Sequence, residues 1–379
     1  MATDHSGETQ ILRDSVRRFA RQEVLPRLDE WERAGEVPRE VHRRAAAAGI
    51  LATGFPEAVG GGGGDLLTGM LVTEELIRAG ASSGFCAALF THGIAIPHIL
   101  AAGDQAQIER WVRPTLAGEK IGALAVSEPD AGSDVARLCT RAIRQGDHYL
   151  VNGAKTFITS GCRADFVTTA VRTGGEGYEG VSLLVVEQGT PGFSVSKKLE
   201  KMGWLCSDTA ELAFADARVP VANLVGEEGT GFRQLMRNFQ SERIGLAVHA
   251  YAIAGRCLDL ALEWAGRRET FGRKLAQRQV IRHKLAEMAR RADVAREYTL
   301  ATARRLQAGE DMTLQVSMAK NTAVEACEFA AYQALQIFGG AGYMRESEVE
   351  RHYRDARILA IGGGTTEIMN EVIAARLGI

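Results

Sequence analysis

Apolar residues recur every third or fourth position along most of this chain, and the period falls to two only in its middle third. Near the start, Ile11, Leu12, Val16 and Phe19 sit at helical spacing among charges. A second helix is predicted over 38–48, with Pro38 at its start and Gly49 after its end. Further helices are predicted over 66–79, 83–102 and 105–116. The short runs 121–127, 148–151, 166–171, 181–187, 193–197 and 210–214 are rich in Val, Ile, Phe and Thr, with Gly, Asp and Pro between them, and read as strands. Helical spacing returns over 232–268, 278–308, 314–338, 346–359 and 367–377. The predicted class is α+β in three parts: a helical domain over 1–120, an antiparallel β domain of sandwich or barrel type over 121–230, and a helical bundle over 231–379.

Composition narrows the functions available. With 379 residues, 46% of them hydrophobic, and a net charge of −2, the chain has ample material for a core and no charge bias toward nucleic acid or an anionic membrane. Residues 1–10 are polar, without the pattern of a secretory signal, and no apolar run of membrane-spanning length is evident. The six cysteines are scattered without a Cys-x-x-Cys pair, which suits reduced thiols in the cytoplasm. No His/Cys group has metal-ligand spacing.

The segment 240–245, Gln-Ser-Glu-Arg-Ile-Gly, draws attention to Glu242. Helical steps from Glu242 reach Leu246, His249 and Ile253, a mostly apolar line. A carboxylate there is either solvated at an edge or held in an apolar pocket with a raised pKa, where it can act as a base. Three stretches have the character of ligand-facing backbone. Residues 124–134 (Leu-Ala-Val-Ser-Glu-Pro-Asp-Ala-Gly-Ser-Asp) leave a strand into a small polar turn. Residues 152–161 begin with Asn-Gly, a hairpin signal that would put Phe157, Ile158 and Thr159 on a returning strand. Residues 361–368, with three glycines before two threonines, should open a helix with free N–H groups. Two other matches fail on context. Gly175-x-Gly177-x-x-Gly180 runs into a strand instead of opening a helix, and Gly80-x-Ser82-x-Gly84 follows a helix instead of a strand. The run 60–64 of five glycines lacks the Lys-Ser/Thr of a phosphate loop and reads as a flexible connection.

Taken together, these motifs resemble the acyl-CoA dehydrogenase family over nearly the whole chain. The resemblance rests on 127–134, on Asn152-Gly-x-Lys155, on Lys201-Met-Gly203 and on Leu224-Val-Gly226. Glu242-Arg243, Arg268-x-x-Phe271-Gly272, Gln279, 336–340 and the Gly-Thr-Thr-Glu element complete it. It implies bound FAD, a homotetramer, an acyl-CoA thioester as substrate and an electron-transfer flavoprotein as acceptor. By that resemblance Leu124, Ala125, Val126, Ser127, Gly132, Ser133, Phe157, Ile158 and Thr159 lie along the flavin. Family members often carry Trp where Phe157 stands. Arg268, Phe271, Gln279, Gln336, Ile337, Gly339 and Gly340 resemble groups that hold the diphosphate and adenosine, several across a subunit boundary. Thr365, Thr366 and Glu367 resemble the cap on the flavin. Ser133, Gln240, Ser241, Arg243, Gly363 and Gly364 fall on the thioester side.

Many family members carry the catalytic Glu in the C-terminal Gly-Thr loop, where this chain has Gly363. A branch resembling the long-chain and isovaleryl-CoA enzymes places it on the long helix before an Arg, the position of Glu242. The expected reaction is α,β-dehydrogenation of a medium, long or methyl-branched acyl-CoA to its trans-2-enoyl product. Arg243, about 100° round the helix, should face away from the carboxylate. Alternatives on the same scaffold are a carrier-protein thioester dehydrogenase or an oxidase; one of another class is a flavin-binding assembly protein without turnover.

Overall fold

The computed structural model describes residues 6–379; the first half of the polar stretch 1–10, residues 1–5, lies outside them. The N-terminal part is helical: α1 (Ser6–Phe19), α2 (Leu28–Ala34), α3 (Arg39–Ala47), α4 (Leu66–Arg78), α5 (Ser83–Leu89), α6 (His92–Ala95), α7 (Pro97–Ala102), α8 (Gln105–Gln107) and α9 (Arg113–Leu116). The sheet strands β1 (Gly122–Ala125), β2 (Arg141–Gln145), β3 (His148–Thr159), β4 (Phe166–Arg172), β5 (Val181–Glu187), β6 (Phe193–Lys198) and β7 (Thr209–Pro220) follow. The C-terminal part holds α10 (Gly231–Arg267), a small ribbon of β8 (Glu269–Thr270) and β9 (Arg273–Lys274), α11 (Gln279–Gln307), α12 (Thr313–Phe338), α13 (Glu348–Ala356) and α14 (Thr366–Leu377).

The sheet runs β1-β4-β2-β3-β7-β6, with β5 on β4. It is mixed: β1 enters parallel to β4, Gly122 opposite Phe166 and Ala125 opposite Thr169, while β3–β7, β6–β7, β2–β3 and β4–β5 are antiparallel. β4 lies between strand neighbours and β5 pairs only with β4, yet both are buried from end to end but for their last residues, so their sequences are runs without alternation. β2 was not foreseen because its Arg-Ala-Ile-Arg-Gln sequence exposes Ile143 and carries little apolar signal.

Four local expectations change. Asn152-Gly153 is not a hairpin turn: β3 continues through it to Thr159, with a register shift between Val151 and Gly153. The side chain of Asn152 bonds Asp216 across the sheet, which stitches the bulge to β7. The predicted helix 83–102 is three short helices, broken before Pro97 and at Phe90–Thr91. The glycine run is not a loose connection. Its N–H groups at Gly61, Gly62 and Gly63 donate to Pro56, Ala52 and Phe55, and it leads into an Asp65/Thr68 capping box on α4. Finally, α10 contains an 18-residue window long and apolar enough to span a bilayer. Most of that window is buried under α4, α11 and α12, the position of a core helix.

Three apolar clusters make up the core. One fills the helical bundle, one lies inside the sheet, and one joins Ile96, Ile99, Val126 and Leu235 at the junction of N-terminal helices, β1 and the start of α10. Arg163 binds the domains at a distance from the site: it bonds Asp208 at 2.7 Å and the carbonyls of Val37 and Ala88.

Candidate active site

Glu242 sits one-third of the way along α10 with part of its surface open. Among the described residues its carboxyl accepts no hydrogen bond. Burial without a donor pushes its pKa up to about 7, and the charges of Arg243 and Lys320 pull the other way without prevailing. This is the environment of a group poised to exchange a proton near neutrality.

The Gly-Thr loop stands against this carboxyl. A β-carbon built on Gly363 would lie 3.6 Å from Glu242 Oε1 and 2.5 Å from Leu246 Cδ1. The positions 242 and 363, 121 residues apart in sequence, therefore open on one small space. Gly363 and Gly364 have φ of +66° and +98°, conformations that favour glycine. Arg243 Nε donates to the Gly363 carbonyl at 3.1 Å, and its guanidinium lies over Phe239. It thus turns away from Glu242, as its place on the helix requires, and clamps the loop. Lys320 on α12, fully buried, donates to the next carbonyl, that of Gly364. Asn321 donates to the Thr366 carbonyl at 3.2 Å. Among the described residues the N–H groups of Gly363 and Gly364 donate to nothing, so the loop presents free donors beside the carboxyl. Thr365 caps α14 by accepting from Ile368 N, and Glu367 is exposed in its first turn.

Lys320 was not singled out from sequence. The only signal is a lone cation on an otherwise apolar, Ala-rich face of α12. Burial lowers its pKa to about 8, with Arg243 adding to the effect and Glu242 opposing it.

The other two stretches converge as well. Thr156 N donates to the Ser127 carbonyl at 2.9 Å. Beneath them Lys155, wholly buried, bonds Val126 O at 2.9 Å and Glu128 at 2.7 Å, and Glu128 also accepts from the N–H groups of Cys139 and Thr140. A register shift between Lys155 and Ile158 throws Phe157 outward, 71% exposed with φ +60°. Leu124 and Val126 pack toward Ile96, Ile99, Met236 and Phe239. Gly132, Ser133 and Ser241 are exposed; Gln240 is half-buried, its Oε1 without a partner.

Some expected contacts are modified. Ala125 and Ile158 turn into the sheet core and Ile337 into the bundle core, so these side chains offer a ligand only their backbone. Arg268, Phe271 and Gln279 are exposed just past the far end of α10, roughly 35–40 Å from Glu242 at 1.5 Å per residue. Gln336, Gly339 and Gly340, exposed at the end of α12, join them there, where Trp264 stacks on Phe338 at 4.6 Å. The expected site residues therefore fall into two separate groups on one chain.

Profiles of the family descriptions "Acyl-CoA dehydrogenase, N-terminal domain", "middle domain" and "C-terminal domain" match residues 6–119, 123–217 and 229–378. The chain belongs to the acyl-CoA dehydrogenase family. It is 39% identical over 371 residues to an acyl-CoA dehydrogenase of Bacillus subtilis, covering 98% of each chain. It is also 39% identical over 376 residues to the long-chain specific mitochondrial enzyme of Rattus norvegicus, covering 98% of this chain and 87% of that one. The crystal structure of a probable acyl CoA dehydrogenase from Mycobacterium abscessus superimposes with a TM-score of 0.97 at 65% identity, covering 98% and 99% of the two chains. Members of this family are FAD-dependent oxidoreductases acting on acyl-CoA. The residues present fit the cofactor: an exposed Phe157 ring near half-buried Ser127, N–H groups at the Gly-Thr loop without partners among the described residues, and the half-buried apolar side chains of Leu124, Met236 and Phe239.

Proposed function

We propose that the protein desaturates an acyl-CoA thioester between its α and β carbons, with Glu242 as the base. The observation that carries this reading is the shared space between Glu242 Oε1 and Gly363. Glu242 removes the α-hydrogen as a proton. Its pKa near 7 lets it be charged at neutral pH while keeping enough basicity to take that proton. Bound FAD supplies the acceptor for the β-hydrogen, which leaves with its electron pair as hydride. The N–H of Gly363 binds the thioester oxygen as negative charge develops there, and the absence of a side chain at Gly363 leaves room for both the oxygen and the base. Arg243 and Lys320 hold the Gly363 and Gly364 carbonyls from behind, which fixes the direction of the loop's peptides. Leu124, Val126, Met236 and Phe239 exclude water from the reacting carbons and orient the acyl chain.

Ser127, Ser133, Phe157, Thr159, Thr365, Thr366 and Glu367 make up one half of the cofactor site. Arg268, Phe271, Gln279, Gln336, Gly339 and Gly340 complete the cofactor site of a neighbouring subunit, since their own Glu242 is too distant. This division supports a subunit-shared site, read here as that of a homotetramer. The electron acceptor in this reading is an electron-transfer flavoprotein, which the likeness to a structure described as an electron transferring flavoprotein of Acidaminococcus fermentans supports. Six unpaired cysteines suit a cytoplasmic location. A medium, long or methyl-branched acyl group is the reading favoured here.

The test is anaerobic reduction of the FAD-loaded protein by a panel of saturated acyl-CoAs, followed by flavin bleaching. Glu242→Gln should keep FAD and assembly and slow bleaching by at least about a thousandfold, within the range of losing a general base with its positioned charge. Normal bleaching in that variant would place the base elsewhere. Carrier-protein thioesters run alongside, with and without oxygen, separate the dehydrogenase from its neighbours on the scaffold.

A further inference from the structure

Helix α10 carries a second feature on the face of Glu242. Three residues on is Gly245, and seven residues on, almost in line with Glu242, is His249. Glycine in a helix interior costs about 0.5–1 kcal/mol relative to alanine, so it needs a reason. Gly255, further along the same helix, has one: a β-carbon there would meet Arg78 Nη1 at 2.0 Å. At Gly245 a β-carbon would meet nothing within 4 Å. Between Glu242 and His249 the helix surface is therefore open at Gly245, with half-buried Leu246 beside it.

The far end of this opening is polar. Trp204 Nε1 donates to Ser83 Oγ at 3.0 Å, and Ser83 Oγ lies 2.8 Å from His249 Nδ1. Indole nitrogen can only donate, so the serine oxygen accepts there. Among the described residues the serine's own proton has one acceptor, Nδ1 of His249. That assigns the neutral tautomer with hydrogen on Nε2. Among the described residues the ring's one hydrogen bond is through Nδ1, so Nε2 makes none, and half-buried His249 keeps part of its surface open. The arrangement is held firmly. Ser83 is fully buried, and Asp355 accepts from Trp204 N at 2.7 Å and Gly84 N at 3.2 Å. A β-carbon at Gly84 would stand 2.7 Å from Trp204 Cα, so only glycine lets that tryptophan close down on α5. Burial keeps the imidazole neutral, its pKa lowered to about 4, so it offers one directed N–H and no charge.

We infer that the Glu242–Gly245–His249 face is an acyl channel ending in a subsite, made by His249, Ser83 and Trp204, for a neutral hydrogen-bond-accepting oxygen on the acyl chain. The oxygen is a hydroxyl or a carbonyl, about 10 Å along the helix from the base at 1.5 Å per residue, the reach of a medium-length chain. This rests on Glu242 being the base, since that carboxyl sets where the thioester end lies. A plain hydrocarbon end would leave Nε2–H without a partner once water is displaced.

The experiment compares flavin reduction by acyl-CoAs of one medium length, either plain or carrying a hydroxyl or keto group near the distal end. The FAD-loaded protein should prefer the oxygenated chains about three- to tenfold in kcat/KM, the range one neutral hydrogen bond supplies. In His249→Leu the ratio of oxygenated to plain should fall to about one. Ser83→Ala, which frees the imidazole to change tautomer, should reduce the ratio part of the way. Gly245→Leu should raise the ratio of short-chain over medium-chain rates at least about tenfold. FAD content and the unfolding midpoint identify any variant that misfolds, and the substrate ratios do not depend on the amount of active protein. Equal ratios in the wild-type and His249→Leu proteins, with plain chains still bleaching the flavin, would overturn the subsite and leave the dehydrogenase reading standing. Failure of every thioester to bleach the flavin would bring down both.

Discussion

Glu242 is a residue whose environment works against the stability of the fold. Its folded pKa of about 7 lies above the value of about 4.3 for a free Glu. The folded protein therefore holds this proton more tightly than the unfolded chain does. Stability from that proton is complete below about pH 4 and is lost as pH rises through 7, a loss on the order of 1–3 kcal/mol. Glu242→Gln should accordingly unfold at a higher temperature than wild type at pH 8, by roughly 2 °C or more, and show no gain near pH 4 in a thermal scan. Lys320 acts on the same group from α12. Lys320→Gln keeps a donor for the Gly364 carbonyl and removes the charge, so the Glu242 pKa should rise further. The pH profile of flavin reduction should move up by about half to one unit, and an unmoved profile would limit Lys320 to holding the loop.

Elements matter through what they bring within reach. The Gly-Thr loop and α10 meet so closely that a base could be supplied from either. Glu242→Gly with Gly363→Glu should recover part of the lost bleaching, but at a cost. Position 363 has φ +66°, a strain of about 1–2 kcal/mol for a side chain, and Leu246 Cδ1 occupies the β-carbon's space. Adding Leu246→Ala should raise the recovered rate several-fold. A well-folded, FAD-replete triple variant without activity would count against a shared target carbon. On the strand side, β3 shows what sequence could and could not reveal. The Asn152-Gly153 signal was real, but it marks a bulge, because the pairing of β3 with β7 on both sides of it outweighs a local turn preference. The outward throw of Phe157 comes from a second bulge that leaves no mark in the sequence.

At the scale of the whole molecule, Glu242 and the exposed residues past the far end of α10 lie far apart on one chain, so the proposed function makes assembly a requirement of the active site. Phe271, 95% exposed beside the Arg278 guanidinium, should be covered in that assembly. Phe271→Asp is expected to lower FAD retention at least about tenfold and weaken subunit association, as read by absorbance and light scattering, although Glu242 lies far away. The layout of helices, strands and helices was legible because burial on one face imposes a period, and period is local. The Gly-Thr loop, the Ser127 turn and Glu242 were legible because glycine, proline and an isolated carboxylate on an apolar line each carry a chemical constraint. Lys320, the mixed sheet and the neutral donor at His249 were not. Each depends on which distant group comes to lie alongside, and a buried cation, a strand direction or a tautomer is set by that neighbour and not by the residue itself. The sequence alone determined the family and the three-part architecture and singled out Glu242 as the candidate base; folding alone decided that Glu242 and Gly363 share one space, because only packing brings positions 121 residues apart within 4 Å.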